Sequence, residues 1–179
     1  MESVQVLDQK DIDFVRELAE SAGLRAREMR SSISIQSKSG PDDFVTSADI
    51  ELSRFLVKEL STRFKSDLII SEEDTQYPES VSENRVWLID PIDGTKNYIK
   101  GNGQYSVMIG LLLDGEPVFG FVFEAEFEKM YYGGPGYGAF KVVKNSSPQR
   151  ISCKDRLEPS ETARVIMGNS DRKKNPWIE

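Results

Sequence analysis

Histidine is absent from this chain of 179 residues. Without histidine there can be no Ser-His-Asp or Cys-His catalytic group, no histidine general acid or base, and no zinc site of the usual His-bearing kind. Any catalysis must therefore rely on carboxylates, hydroxyls, lysines, backbone groups or a hard metal ion.

Cysteine and long apolar runs are also scarce. The single cysteine, Cys153, has no partner for a disulfide within the chain, and Pro159 occupies the position where a cysteine phosphatase needs arginine. No segment approaches the ~20 apolar residues of a membrane-spanning helix. Residues 1–10 lack the basic and apolar regions of a signal peptide. We therefore expect a cytoplasmic protein with no membrane partner.

Basic residues are outnumbered, with 23 Lys and Arg against 30 Asp and Glu, which gives a net charge of −7. This charge argues against a protein that binds the phosphate backbone of a nucleic-acid polymer. The composition, 38% hydrophobic and 30% charged, is typical of a globular domain. A chain of this length can bury roughly 70% of its unfolded surface.

Hydrophobic periodicity predicts two helices near the N-terminus. Apolar residues recur at helical spacing over about residues 11–30, after Asp8 or Asp11 as a cap, and again over about 48–63. Residues 31–45 contain Ser, Gly, Pro and Asp, which predicts an extended segment and a turn.

Strand patterns follow the helices. Asp114-Gly115 predicts a tight hairpin, because this pair accepts the positive φ angles of a type I′ turn. Short runs of β-branched and aromatic residues predict strands at 67–71, 85–90, 105–113, 118–124, 129–132, 139–143 and 164–167. Two helices followed by an antiparallel meander predict an α+β domain.

Acidic residues stand where predicted elements begin or end. Asp49 opens the second helix, Glu72-Glu73-Asp74 follows strand 67–71, and Asp90 and Asp93 follow strand 85–90. If the two strands are neighbours, their carboxylates converge and repel one another unless a cation neutralises them. Oxygen ligands favour Mg²⁺, Ca²⁺ or Mn²⁺. This set, beside the amides of residues 94–96 as phosphate donors, predicts metal-assisted phosphate hydrolysis.

Each acidic group also has a purely structural interpretation. Thr46-x-x-Asp49 is a capping box, residues 72–74 are typical of a solvated loop, and Asp90-Pro-x-Asp-Gly is typical of a turn. Lys38 alone is typical of a solvated loop lysine, and the glycines of residues 133–138 fit a turn better than a phosphate-binding loop.

The segment WLIDPIDGTKNY at residues 87–98 resembles the signature of the inositol monophosphatase superfamily. Lys38 with DDFVTSAD at 42–49, and SEED at 71–74, precede it in the order found in that superfamily. The resemblance covers about residues 8–170. It implies an inositol monophosphatase-like (sugar phosphatase) fold, with two helices packed on an antiparallel sheet, and a lithium-sensitive, Mg²⁺-dependent phosphomonoesterase.

The resemblance also implies a role for each matching residue, with two or three Mg²⁺ ions as cofactors. Glu72 and Asp90, with the Ile92 carbonyl, would bind the first ion, and Asp90 and Asp93 the second. The resemblance implies that Thr95 and Asp49 activate the attacking water. Glu73 would support the ligands or bind a third ion, and the Gly94 and Thr95 amides would contact the phosphate.

Two details favour one substrate class. Lys96-Asn97-Tyr98 and SEED, in place of the more usual Gly-Glu-Glu, resemble 3′(2′),5′-bisphosphate nucleotidases, which act on 3′-phosphoadenosine 5′-phosphate. Inositol-1-phosphate phosphatase activity is the alternative. A phosphatase of the haloacid dehalogenase type is disfavoured, because its nucleophile lies in Asp-x-Asp, whereas Asp90 and Asp93 stand in Asp-x-x-Asp.

The C-terminal residues favour a division of the chain. Members of the superfamily continue into a second α/β domain whose Trp-Asp motif supplies another ligand, but neither Trp87 nor Trp177 is followed by Asp. Asn175-Pro176 is typical of a helix start. We expect a metal-binding phosphatase domain at 1–170 and the start of a truncated second domain at 171–179. A truncated, inactive metal-binding domain is a further alternative, and a homodimer is an expected partner state.

Overall fold

A computed structural model of the chain describes residues 6–37, 44–74 and 85–152. The helices within these ranges are α1 (Gln9–Met29), α2 (Ser47–Arg63) and α3 (Thr95–Lys100), and a 3-10 turn, Arg30–Ser32, follows α1. The strands are β1 (Ile35–Ser37), β2 (Phe44–Thr46), β3 (Leu68–Ser71), β4 (Arg85–Asp93), β5 (Ser106–Leu113), β6 (Glu116–Glu124), β7 (Lys129–Gly134), β8 (Gly138–Val143) and β9 (Gln149–Ile151).

Seven strands form one sheet in the order β3-β4-β5-β6-β7-β8-β9. The predicted α+β class is confirmed, with one difference. Strands β3 and β4 are parallel, and the remaining neighbours are antiparallel, so the sheet is mixed rather than entirely antiparallel. Because β3 and β4 run in the same direction, the residues that follow them emerge at the same edge.

The two predicted long helices cover one face of the sheet. Asp8 is the N-cap of helix α1, and its Oδ1 accepts a hydrogen bond from the Asp11 amide at 2.8 Å. The helices pack so closely on the sheet that a Cβ on Gly23 would lie 2.4 Å from the Phe123 ring. The core between them is built from apolar residues of both layers: Ile12, Val15, Leu18, Leu52, Leu56, Leu60, Trp87, Ile109, Leu111, Phe121 and Phe123.

The meander follows the sequence prediction, including its tightest turn. Asp114 and Gly115 have φ angles of 52° and 83°, as a type I′ hairpin requires, and they join β5 to β6. Four further elements had no sequence prediction or an incomplete one: β1 and β2, which pair with each other, β9, which is added to the sheet edge, and α3, which follows β4. Helix α3 has six residues, too few to show a helical period.

Several predictions concern residues outside the described ranges. These are the roles of Lys38 and Cys153, the strand at 164–167, the helix start at Asn175-Pro176 and the domain boundary near residue 170. Among the described helices, none combines the length and apolar character needed to cross a bilayer.

Tyr98 anchors α3 to α1, and this contact makes the first testable prediction. Its side chain is 0% exposed, and its hydroxyl donates to the Ala26 carbonyl at 2.6 Å. Burial, followed by the charge of Asp49, raises the pKa of Tyr98 to about 12. We expect Tyr98→Phe to lower the free energy of unfolding by about 1–2 kcal/mol, because the Ala26 carbonyl loses its donor. Urea unfolding measures this loss.

The same hydroxyl gives the sign of a pH effect. Because its pKa is higher in the folded than in the unfolded chain, its contribution is complete below about pH 10 and is lost as the pH rises towards 12. Tyr98→Phe should remove this part of the loss of stability at alkaline pH. Tyr137→Phe is the matched control, since the Tyr137 hydroxyl makes an exposed contact with Gln9 Oε1 at 3.3 Å. An equal loss of unfolding free energy in Tyr98→Phe and Tyr137→Phe would contradict the anchoring role of Tyr98.

Candidate functional site

The parallel pairing of β3 and β4 brings two acidic residues together. Ser71 at the end of β3 pairs with Ile89, and the Glu72 amide donates to the Ile89 carbonyl at 2.9 Å. Glu72 therefore leaves the sheet beside Asp90, the next residue of β4. The structure thus supports the sequence expectation that these two carboxylates converge.

Asp90 lies in an environment that opposes its ionisation. The pKa of the Asp90 carboxyl is raised to about 8, mainly by burial and further by the charge of Glu72, a hydrogen bond with the Glu72 side chain and the charge of Asp93. The Ile92 amide, which donates to Asp90 Oδ1 at 3.1 Å, acts in the opposite direction. Crowded carboxylates of this kind are stabilised by a divalent cation, which neutralises both at once.

The acidic residues differ in how closely they gather. Glu72 and Asp90 are in contact, whereas the Asp93 side chain is exposed and acts on Asp90 through its charge. Across 6–37, 44–74 and 85–152, no three Asp, Glu, His or Cys side chains close into a metal-binding cluster. The donors are nevertheless all oxygen, and the Glu72–Asp90 contact suits a hard cation, so these residues fit Mg²⁺.

Asp49 forms the predicted capping box and also lies near Thr95, and its role in activating water stays a prediction. The Thr46 amide donates to Asp49 Oδ2 at 2.8 Å, the Thr46 hydroxyl donates to the same oxygen, and the Asp49 amide donates to Thr46 Oγ1. This capping box begins α2. The other oxygen, Oδ1, lies 3.4 Å from the Thr95 hydroxyl. The carboxylate is 1% exposed, so one buried group serves both contacts.

Gly94 and Ile92 position the Thr95 hydroxyl. Gly94 has a φ angle of 89°, and a Cβ at this position would lie 2.9 Å from the Gln104 carbonyl oxygen, so only glycine is accommodated without strain. The chain then turns into α3, with Thr95 as its first residue. The Thr95 hydroxyl lies 3.2 Å from the Ile92 carbonyl oxygen, as well as near Asp49. Thr95 therefore connects the end of β4 with the start of α2.

Residues 71–74 form a turn around Ser71. Asp74 Oδ2 accepts from the Ser71 amide at 2.8 Å, and the Glu73 amide donates to Ser71 Oγ at 3.4 Å. Glu73 is thus placed in the turn that carries Glu72, and its role with the metal ligands stays a prediction. Sequence reasoning missed Ser71 and Ser53, whose hydroxyl donates to Ser71 Oγ at 2.7 Å. The position of Ser53, one helical turn after Asp49, was the available indication.

A cavity of about 530 Å³ adjoins the acidic pair on the sheet face opposite the long helices. Glu72 and Asp90 line its edge, and Leu88, Met108 and Gly110 are among its apolar lining. Leu88 and Met108 are exposed there. The carboxylates therefore lie beside an accessible apolar surface of the sheet.

The capping role of Asp49 gives the second testable prediction. We expect Asp49→Asn to lower the free energy of unfolding by about 1 kcal/mol, because the amide replaces a charged acceptor of the capping box, and also to reduce turnover. Asp8→Ala, which removes the α1 cap outside the site, should lower stability by a similar amount without changing turnover. Normal turnover in Asp49→Asn would show that Asp49 acts only as a cap. Chemical denaturation and a phosphate-release assay measure the two effects.

Comparisons of this sequence with a family model and with known proteins all lead to one family. The model of the inositol monophosphatase family matches residues 8–175. Inositol monophosphatase 1 of Sus scrofa is 32% identical over 176 residues, which cover 92% of this chain and 64% of that protein. The 3′(2′),5′-bisphosphate nucleotidase CysQ of Aggregatibacter actinomycetemcomitans is 37% identical over 131 residues, covering 71% of this chain and 48% of that protein. The chain thus spans less than two thirds of the length of these relatives.

Solved structures show the same fold. An inositol monophosphatase of Thermotoga maritima superposes with a TM-score of 0.70 at 29% sequence identity, covering 80% of this chain and 54% of that one. An IMPase/NADP phosphatase complexed with Mg²⁺ and phosphate has a TM-score of 0.67 at 24% identity, covering 76% of this chain and 52% of that one, which shows likeness of fold alone.

Proposed function

The chain belongs to the inositol monophosphatase family, and on that premise we propose that it hydrolyses a phosphomonoester of a small metabolite in a Mg²⁺-dependent reaction. One observation carries the proposal. A continuous series of contacts runs from Asp49 through Thr95 and Ile92 to Asp90 and Glu72. Through these contacts, a hydroxyl–carboxylate pair lies near the two carboxylates that we propose as metal ligands.

The Asp90–Glu72 end of this series would hold the cofactor. Glu72, Asp90 and Asp93 supply carboxylate oxygens, and the Ile92 carbonyl supplies a neutral one. Mg²⁺, when bound, neutralises charge on the substrate phosphate and makes water a better nucleophile. Two or three ions are proposed, with Glu73 as the additional carboxylate.

The Asp49–Thr95 end of the series would move the proton of the attacking water. The Thr95 hydroxyl donates towards Asp49 Oδ1 and offers its oxygen lone pairs to a water on its other side. Asp49 is buried and held by the Thr46 capping contacts, so its oxygen remains directed at Thr95. We propose that this pair orients the attacking water and accepts its proton, while the Gly94 and Thr95 amides contact the phosphate.

A 3′(2′),5′-bisphosphate nucleotide is the proposed substrate. The residues Lys96-Asn97-Tyr98 and the SEED turn favour this class, and CysQ is among the relatives. The test is Mg²⁺-dependent phosphate release from 3′-phosphoadenosine 5′-phosphate, inositol 1-phosphate and fructose 1,6-bisphosphate. We expect the highest kcat/KM with the first compound, and inhibition by Li⁺. A higher value with inositol 1-phosphate would replace the proposed substrate with the alternative.

The same assay tests the second candidate, a metal-binding domain without turnover. Calorimetry of Mg²⁺ binding to the chain separates the two functions. Mg²⁺ binding without phosphate release from any of the three compounds would favour the inactive domain, and absence of both would contradict the metal site itself.

A further inference from the structure

A pair of buried serine hydroxyls joins α2 to the end of β3. The Ser53 hydroxyl donates to Ser71 Oγ at 2.7 Å, and the two residues are 5% and 0% exposed. Hydroxyls removed from water need hydrogen-bond partners, so each of these side chains restricts the rotamer of the other. The contact therefore sets the position of Ser71 relative to α2.

Ser71 in turn organises the segment that carries Glu72. Its amide donates to Asp74 Oδ2 at 2.8 Å, and its carbonyl accepts from the Asp74 amide at 3.0 Å. Its hydroxyl oxygen also accepts from the Glu73 amide at 3.4 Å. Glu72 lies between these contacts, so the direction in which its carboxylate leaves the sheet depends on the placement of Ser71.

Helix α2 contacts both halves of the site from one face. Asp49 and Ser53 are one helical turn apart, so their side chains lie on the same side of α2. Asp49 approaches Thr95 at 3.4 Å, and Ser53 contacts Ser71 at 2.7 Å. Loss of the Ser53 hydroxyl would release the Glu72 side of the site and leave the Thr95 side attached.

We propose, on the basis of the proposed function, that Ser53 is a positioning residue that holds Glu72 beside Asp90 by means of Ser71. Without the Ser53 contact the Ser71 turn is less firmly fixed, so Glu72 is no longer held in one position beside Asp90. The two carboxylates are then no longer arranged in advance for one cation, and the free energy of Mg²⁺ binding becomes less favourable.

Calorimetric titration of the full chain with Mg²⁺ tests this proposal. We expect Ser53→Ala to raise the Kd for Mg²⁺ by about tenfold. Thr62→Ala is the matched control, because Thr62 lies on the same helix and its exposed hydroxyl donates to the Lys58 carbonyl at 2.8 Å, away from the site. Its Kd should equal that of the unmodified chain. In the phosphatase assay, Ser53→Ala should raise the Mg²⁺ concentration for half-maximal rate and leave kcat at saturating Mg²⁺ unchanged.

Two further variants test the route through Ser71. Ser71→Ala should weaken Mg²⁺ binding at least as much as Ser53→Ala does, because it also removes the acceptor of the Glu73 amide. The double variant should bind Mg²⁺ no more weakly than Ser71→Ala, because that substitution already removes the Ser53 contact. Ser71→Ala also keeps the test decisive if Ser53→Ala does not fold. Three results would overturn the proposal: an additive rise in Kd in the double variant, an unchanged Kd in Ser53→Ala, or an equal rise in Kd in Thr62→Ala. If the unmodified chain binds no Mg²⁺, the proposed function fails as well; if it binds and Ser53→Ala binds equally, only the positioning role fails.

Discussion

Asp90→Asn should abolish most of the stabilisation that Mg²⁺ gives to the chain. Asp90 is the proposed ligand common to both ions, and it contacts Glu72 directly. At a Mg²⁺ concentration of 100 times Kd, binding stabilises a folded protein by about 2.7 kcal/mol, equivalent to roughly 5–10 °C in Tm for a domain of this size. We expect the unmodified chain to show a rise of this order, and Asp90→Asn to show little.

The metal-free comparison distinguishes loss of a ligand from loss of structure. Burial and Glu72 oppose the ionisation of Asp90, and asparagine carries no ionisable group, so Asp90→Asn without Mg²⁺ should have a Tm equal to or above that of the unmodified chain. Asp114→Asn, in the exposed β5–β6 turn, is the control for the same chemical change and should keep the full Mg²⁺ response. Differential scanning fluorimetry with and without Mg²⁺ measures all three. A Tm that Mg²⁺ does not change in the unmodified chain would contradict the metal site.

Thr95→Ala should lower kcat by at least about 100-fold while leaving Mg²⁺ binding nearly intact. General acid–base groups contribute about 10²–10⁴ to rate, and the Thr95 hydroxyl is the proposed link between the attacking water and Asp49. The side chain donates no carboxylate to the metal ligands, so calorimetric Mg²⁺ binding should change little. Phosphate release measures kcat, in a form of the protein that is active on the phosphomonoester.

Thr95→Ser is the corresponding control, because it retains the hydroxyl near Asp49 Oδ1 and the Ile92 carbonyl. We expect Thr95→Ser to keep most of the activity. If Thr95→Ala were as active as Thr95→Ser, the hydroxyl would have no part in proton transfer, and the 3.4 Å approach to Asp49 would be structural only.

The helices and the hairpin could be predicted because their causes are local. The apolar period of α1 follows from which residues can face a core, and the Asp8 and Thr46 caps follow from short side chains that satisfy free amides nearby. Asp114-Gly115 adopts positive φ angles that few other pairs accept. Each pattern reports on a few neighbouring residues, so the sequence alone was sufficient.

The site was predictable in chemistry and less so in geometry. The absence of histidine and the clustered acids indicated oxygen ligands, and the order of the motifs indicated the family before any contact was known. The sequence left Asp49 with two alternative roles, whereas the structure shows one carboxylate oxygen in the capping box and the other near Thr95. Ser53 was not predicted, because its partner Ser71 lies 18 residues away in the sequence.

The alignment of β3 and β4 could not be read from either strand, because a short apolar run pairs equally well in parallel and antiparallel directions. Parallel pairing brings Glu72 to Asp90 at one sheet edge, and burial at that edge, with the neighbouring charges, raises the pKa of Asp90. Residue types along the chain thus specify the elements and the kind of ion that suits them. Distances between separate elements and the loss of water around them arise only when those elements pack, because both depend on atoms far apart in the sequence.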